Sequence, residues 1–124
     1  MKLSVIIPTY NRKESLRCTL DGLSRQRYPF TDFEAVVVSD GSTDGTEEML
    51  ADYAQAAPYS LRIVSQVNGG PSKARNRGIQ EAQNEVIVFL DDDVEPGAEF
   101  LSRHAIHHWQ DEKIAVIILY NIKK

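Results

Sequence analysis

Apolar, largely β-branched runs recur along the chain at Leu3-Ser4-Val5-Ile6-Ile7, Ala35-Val36-Val37-Val38, Leu61-Arg62-Ile63-Val64, Glu85-Val86-Ile87-Val88-Phe89-Leu90 and Ile114 to Leu119. Four of the five lack polar alternation, which predicts strands covered on both faces, as in a parallel sheet. Between the runs the spacing becomes helical. Leu16, Leu20 and Leu23 follow i, i+4, i+7, with Asn11 and Glu14 ahead of them in the arrangement of a capping box. Met49 and Tyr53 repeat the spacing after Ser42-Thr43-Asp44, as do Ala74, Gly78 and Ala82 after Pro71, and Phe100, Leu101, His104 and Ala105 after Pro96-Gly97. The expected order is β-α-β-α-β-α-β-α-β, an α/β fold with a doubly wound, mostly parallel sheet and helices on both faces. In such a sheet, ligands sit at the carboxyl ends of the strands.

Composition narrows the class. A chain of 124 residues is at most one domain, and 42% hydrophobic against 26% charged residues suffices for a packed core. A formal charge of −4 argues against a nucleic-acid binder with a broad basic face. The lone Cys18 cannot form an internal disulfide, fits a reducing compartment and is assigned to packing. Pro8 interrupts the first apolar run, which rules against a signal peptide. The run Ile114 to Tyr120 is far short of the roughly 20 residues that span a bilayer. A cytoplasmic location is expected, compatible with association at the inner face of a membrane.

The charge is segregated: +4 over residues 1–30, −7 over 31–61, +4 over 62–80, −7 over 81–102 and +2 over 103–124. Solvated helix faces would account for such blocks, and so would a site that binds a cation and an anion together. The residues just past each strand decide where to look. Asp91-Asp92-Asp93 directly follows a buried strand; three adjacent carboxylates repel one another, and a cation is their natural compensator. In an extended turn Asp91 and Asp93 would point one way and Asp92 the other. A hard divalent ion prefers one or two carboxylates plus phosphate oxygens, while helix capping with solvated neighbours is the plainer alternative. Asp40, at the end of the second strand, can accept from a ligand N–H such as a nucleobase imide; Ser42 and Asp44 read more simply as helix caps. Asn68-Gly69-Gly70, followed by Lys73, Arg75 and Arg77 at a helix start, suits a diphosphate, although Lys73 and Arg77 share a face that Arg75 does not. His104, His107 and His108 lack a third metal ligand and are read as packing and surface residues.

Taken together, Ser4-Val5-Ile6-Ile7-Pro8-Thr9-Tyr10-Asn11-Arg12, Val37-Val38-Ser39-Asp40-Gly41-Ser42-Thr43-Asp44, Asn68-Gly69-Gly70 with Ala74-Arg75-Asn76-Arg77-Gly78, and Phe89-Leu90-Asp91-Asp92-Asp93 strongly resemble the family-2 glycosyltransferases of GT-A fold. Four motifs in order cover nearly the whole chain. The resemblance implies a Rossmann-like sheet and a donor site for a nucleotide-diphospho-sugar, most commonly a UDP-sugar. The nucleotide-binding residues it implies are Pro8, Thr9, Tyr10, Asn11, Asp40, Asn68, Gly70, Lys73, Arg75, Asp91 and Asp92, with Thr9 and Asp40 on the base. The acidic run looks like the family's DXD element, with Asp93 and Asp91 holding Mn²⁺ or Mg²⁺ and Asp92 on the ribose or sugar side. Ser39 departs from the family, where an Asp is usual.

The implied reaction is inverting transfer to a hydroxyl of a glycan, lipid or small-molecule acceptor. In the family, the base and the acceptor-binding elements follow a strand resembling Ile114 to Leu119, whereas this sequence closes at Asn121-Ile122-Lys123-Lys124. Residues 1–124 are therefore expected to be a donor-binding, truncated portion whose catalytic base is unknown. A catalytically silent nucleotide-sugar-binding module is the alternative, and apolar surface left uncovered would favour a homodimer. Other classes fit less well. A phosphoacceptor receiver needs acids where Pro8-Thr9-Tyr10 stands, a nucleotidyltransferase needs glycines near Asn11-Arg12-Lys13, and no G-x-G-x-x-G follows a strand.

Overall fold

The structure, a computed structural model, describes residues 1–110 and 118–120. In chain order the elements are β1 (Leu3–Thr9), α1 (Lys13–Ser24), β2 (Phe33–Asp40), α2 (Thr46–Ala56), β3 (Ser60–Gln66), α3 (Pro71–Glu81), β4 (Val86–Leu90), α4 (Phe100–Gln110) and β5 (Ile118–Tyr120). All neighbouring strands pair in parallel, in the order β3-β2-β1-β4-β5. Ile118 and Leu119 of the last apolar run lie in β5, while its first part, residues 114–117, and the closing residues 121–124 fall outside the described residues.

Two apolar layers explain why the strands do not alternate. Leu3, Val5, Ile7, Ala35, Val37, Val88 and Leu90 face α1, α2 and α4 in one cluster. Ile6, Val36, Val38, Val64 and Phe89 face α3 in the other. Leu16, Leu20 and Leu23 of α1 are completely buried, each adding roughly 1.5–3 kcal/mol. Cys18 points away from that stripe and is exposed; two positions from Leu16 is 200° around a helix, so its assignment to packing is corrected. His104 is buried and meets Phe100 edge-on, ring centroids 4.8 Å apart. No helix among the described residues is long and apolar enough to cross a membrane.

The second layer is thin because α3 lies almost on the sheet. A Cβ on Gly78 would come within 2.3 Å of the Ile6 side chain, and Ile6 is fully buried with nowhere to move. Gly78→Ala is expected to lower the unfolding free energy by roughly 1–3 kcal/mol through overpacking, even though alanine gains about 1 kcal/mol in helix propensity. Urea unfolding of the two proteins measures it; an alanine variant as stable as the parent would mean the helix can lift.

At the amino ends of the strands Glu34 is buried, accepting from Ser4 Oγ at 2.6 Å and the Gln83 amide at 2.7 Å. Asn84 in turn donates to Ser4 Oγ and to the Leu3 carbonyl. This polar clasp ties the α3–β4 connection to β1 and β2. The carboxyl ends are left open: pairing of β1 with β4 stops at Ile6–Phe89 while β1 runs on to Thr9 beside β2. Pro8 lies past the last β4 partner, so its missing N–H removes no bond from the β1–β4 pairing.

Candidate functional site

In a sheet ordered β3-β2-β1-β4-β5, the chain direction of winding reverses at β1 and β4, and the strands that diverge there open a crevice. A cleft of about 560 Å³ occupies it. Pro8, Thr9 and Tyr10 line it from the end of β1 and Arg12 from the start of α1. Asp40 follows from β2, then Asn68, Gly70, Pro71, Ala74 and Arg75 from the β3–α3 junction, and Asp91, Asp92 and Asp93 from the end of β4. The sheet edge expected to hold ligands is thus the edge where these residues meet.

Two expected residues stay outside it. Lys73 lines a separate groove beyond α3 with Asn76, Arg77 and Gln80, because two positions along a helix put it across the axis from Arg75. Asn11 turns back into the fold. With φ at +52°, its amide donates to Ser42 Oγ and its Oδ1 accepts from the Thr43 amide at 2.7 Å. The capping box with Glu14 is therefore not made. Arg12 is the N-cap of α1 and caps nothing with its side chain. The Lys13 amide is instead satisfied by Asp44 Oδ2 at 3.1 Å. Asp44 Oδ1 accepts from the Thr46 amide and hydroxyl, so one carboxylate serves the starts of two helices. The Thr46 hydroxyl is the main reason its pKa lies below the ordinary value.

Asp40 is buried at the end of β2, and its carboxylate is fully employed. Oδ1 accepts from Gln66 Nε2 at 2.7 Å and the Gly69 amide at 2.9 Å; Oδ2 accepts from the Gly70 amide at 2.9 Å and Asn68 Nδ2 at 3.3 Å. Burial pushes its pKa up, but the bonds from Gln66, Gly69 and Gly70 and the charge of Lys73 outweigh burial and hold it below the usual value. A carboxylate has about four acceptor positions, and protein donors take them. Asp40, expected to meet the base, lines the cleft and through these bonds also closes the β3–α3 loop beneath it. The amides of Gly69 and Gly70, expected to cradle phosphate, face Asp40, whose charge sits at the start of α3 where the helix dipole favours an anion.

The acidic run forms a turn closed by the Val94 amide on the Asp91 carbonyl at 3.4 Å, and so lacks the alternation of an extended strand. Asp92 points inward and accepts from Thr9 Oγ1 at 2.9 Å. Burial raises its pKa; the Thr9 bond and the Arg12 charge oppose the rise, and Asp93 and Asp91 reinforce it. The buried Thr9 hydroxyl thus gives its proton to Asp92 and keeps its acceptor positions at the wall of the cleft. Asp93 is exposed and receives Arg12 Nη1 at 3.2 Å, with the same nitrogen 3.8 Å from Asp92. Asp91 lines the cleft half-buried.

The turn is held from behind by α1. Thr19 Oγ1 donates to the Val94 carbonyl at 2.7 Å. The buried Gln26 donates to the Gly97 carbonyl and accepts from the Leu101 amide. Pro96 seats so closely on Gly22 that a Cβ there would lie 2.6 Å from its ring. Among the described residues no three His, Cys, Asp or Glu side chains gather as a metal cage. The donor set is hard oxygen from Asp91 and Asp93, which fits Mg²⁺ or Mn²⁺ provided phosphate and water complete the sphere. Arg12 was missed as a wall of the cleft; its position three residues past β1, at the ligand-bearing edge, was the available signal.

Comparison with known proteins identifies the family and the fold. The family described as Glycosyl transferase family 2 matches residues 4–123. The poly(ribitol-phosphate) β-N-acetylglucosaminyltransferase TarS of Staphylococcus aureus is 35% identical over 111 residues, 84% of this chain and 19% of its own length. Glycosyltransferase AglE of Haloferax volcanii is 35% identical over 82% of this chain and 33% of its own. The crystal structure of TarS 1-349 in complex with UDP-GlcNAc superposes with a TM-score of 0.81 at 36% identity, covering 90% of this chain and 32% of that one. The mannosyltransferase PcManGT of Pyrobaculum calidifontis, in complex with GDP-Man and Mn²⁺, gives 0.79 at 32% identity, covering 84% and 31%.

Proposed function

The chain belongs to glycosyltransferase family 2 and has its GT-A fold, and from that premise we propose that residues 1–124 are the donor-binding portion of an inverting, metal-dependent transferase. The donor is a nucleotide-diphospho-sugar, with a UDP-sugar the first choice, and the acceptor is a hydroxyl. The observation that carries the reading is one cleft at the switch point of the sheet that presents Arg75 and the acidic turn together. The ligands named for TarS and PcManGT, UDP-GlcNAc and GDP-Man with Mn²⁺, support it.

In this reading Arg75 takes a phosphate oxygen through charge-assisted hydrogen bonds. The exposed ring of Tyr10 offers a face to the base, and Asn68 and Gly70 shape its edge. Asp91 and Asp93 hold the divalent ion, and Asp92, anchored to Thr9, keeps the turn in place. When bound, that ion supplies Lewis-acid stabilisation of the departing diphosphate. The acids lining the cleft among the described residues are Asp40 and the three of the turn. In this reading Asp91 and Asp93 hold the ion while Asp40 and Asp92 accept from protein donors, so the base that deprotonates the acceptor comes from elsewhere. The chain spans only about a fifth to a third of the length of the relatives named above, and the 124 residues are expected to bind donor without turning it over.

Titration calorimetry with UDP in Mn²⁺ tests this. The expected result is a binding heat with UDP that EDTA abolishes; GDP in place of UDP reports the base preference. Absence of binding to both nucleotides with Mn²⁺ present would remove the reading, and brisk transfer of radiolabelled sugar by these residues alone would remove its second half.

A further inference from the structure

Resting on the cleft just assigned to a nucleoside diphosphate and a divalent ion, we propose that Arg12 is the built-in counter-cation of the acidic turn. It neutralises Asp93 and Asp92 while the cleft is empty, yields Asp93 to the entering divalent ion, and turns its guanidinium to the diphosphate. Ion and nucleotide then bind with positive coupling through one side chain.

Three observations carry this. The first is geometry: Arg12 Nη1 lies 3.2 Å from Asp93 Oδ2 and 3.8 Å from Asp92 Oδ1, against the carboxylate that a hard cation would need. The second is that the pair is easily broken. It uses one nitrogen where a fork could use two, and the side chains are 54% and 37% exposed, the class of ion pair that solvent screens to little net strength.

The third is a fixed base under a free head. The Arg12 carbonyl starts α1 by accepting from the Leu16 amide at 2.9 Å. On either side, Asn11 is tied to Ser42 and Thr43, and the Lys13 amide to Asp44. The backbone cannot follow the side chain, so a displaced guanidinium pivots about a fixed point on the wall of the cleft that it already lines. Beside a divalent ion it needs an anion, and the diphosphate is the anion that this site takes. Coupling of this kind is reciprocal: whatever the nucleotide does for the ion's affinity, the ion does for the nucleotide's.

The test measures binding alone. Free Mn²⁺ is followed by its electron paramagnetic resonance signal during titration of the wild-type chain, Arg12→Gln and Arg12→Lys, each without and with UDP. Removing the competing charge should make Arg12→Gln bind Mn²⁺ alone roughly three- to fivefold more tightly. The same variant should bind UDP in saturating Mn²⁺ roughly tenfold or more weakly, having lost a charged partner for phosphate. Arg12→Lys keeps the charge and should show neither change at that size, which separates the counter-cation from damage to the start of α1. Opposite signs in the two titrations support the proposal. Arg12→Gln binding Mn²⁺ alone no more tightly than wild type, or shifting both affinities in one direction, overturns it while leaving the donor site intact. If no variant takes up Mn²⁺ even with UDP present, the donor-site reading fails and this one with it.

Discussion

Asp40→Asn is expected to abolish measurable UDP binding and to lower the unfolding free energy by roughly 2–4 kcal/mol. The substitution is nearly isosteric, so no cavity opens. What changes is that one oxygen, with two protein donors on it, becomes an NH₂ group that faces donors with donors. Whichever way the amide turns, either Gln66 and the Gly69 amide or the Gly70 amide and Asn68 lose their acceptor. A buried donor without a partner costs about 1–3 kcal/mol. Asn68 and Gly70 also line the cleft, so the loop that loses its closure is a wall of the binding site. Calorimetry reads the affinity and urea unfolding the stability.

The same carboxylate gives the wild type an acid limb that the variant should lack. Its folded pKa lies below the ordinary 3.8, so the unfolded chain takes up the proton first. The stabilisation it provides is complete above that value and drains away as pH falls through the lower folded pKa. A stability–pH curve for Asp40→Asn that still falls as steeply below pH 3.8 as the wild type would contradict this assignment.

Asp93→Ala is expected to behave in the opposite way: stability within about 0.5 kcal/mol of wild type, and Mn²⁺ affinity in the presence of UDP reduced at least about 100-fold. Even changes to groups that only orient a metal's ligands cost about 10–100-fold, and in the proposed site Asp93 is a ligand itself. The fold should be indifferent because Asp93 is exposed and its recorded partner is the half-exposed Arg12. The pair of variants therefore separates two carboxylates that the sequence presents alike. One is a keystone whose loss disturbs the loop; the other is a ligand whose loss disturbs the ion. An Asp93→Ala protein with near-normal Mn²⁺ uptake would move the ion to Asp91 or out of the cleft.

The legibility of this protein follows the range of the forces involved. The four motifs and the strand-end rule point to one edge of the sheet, and Pro8, Thr9, Tyr10, Asp40, Asn68, Gly70, Arg75 and Asp91 to Asp93 line one cleft there. The helical period separated Lys73 and Arg77 from Arg75, as the two grooves flanking α3 show. Less was legible in the partners. Asn11 followed by Glu14 has a local capping pattern, yet its side chain is claimed by Thr43 across 32 positions and the helix start by Asp44 across 31.

The sequence by itself determined the element order, the parallel sheet, the edge at which a ligand would sit and the family, because each rests on local periodicity or on contiguous motifs that survive without knowledge of neighbours. The tertiary structure alone decided what each carboxylate does. Asp40, Asp92 and Asp93 are chemically the same group in the sequence. They differ by burial and by donors brought from 26 to 83 positions away: Gln66 and the glycine amides for the first, the Thr9 hydroxyl for the second and the Arg12 guanidinium for the third. A hydrogen bond has a reach of about 3 Å in space and none along the chain, so only the fold could assign them.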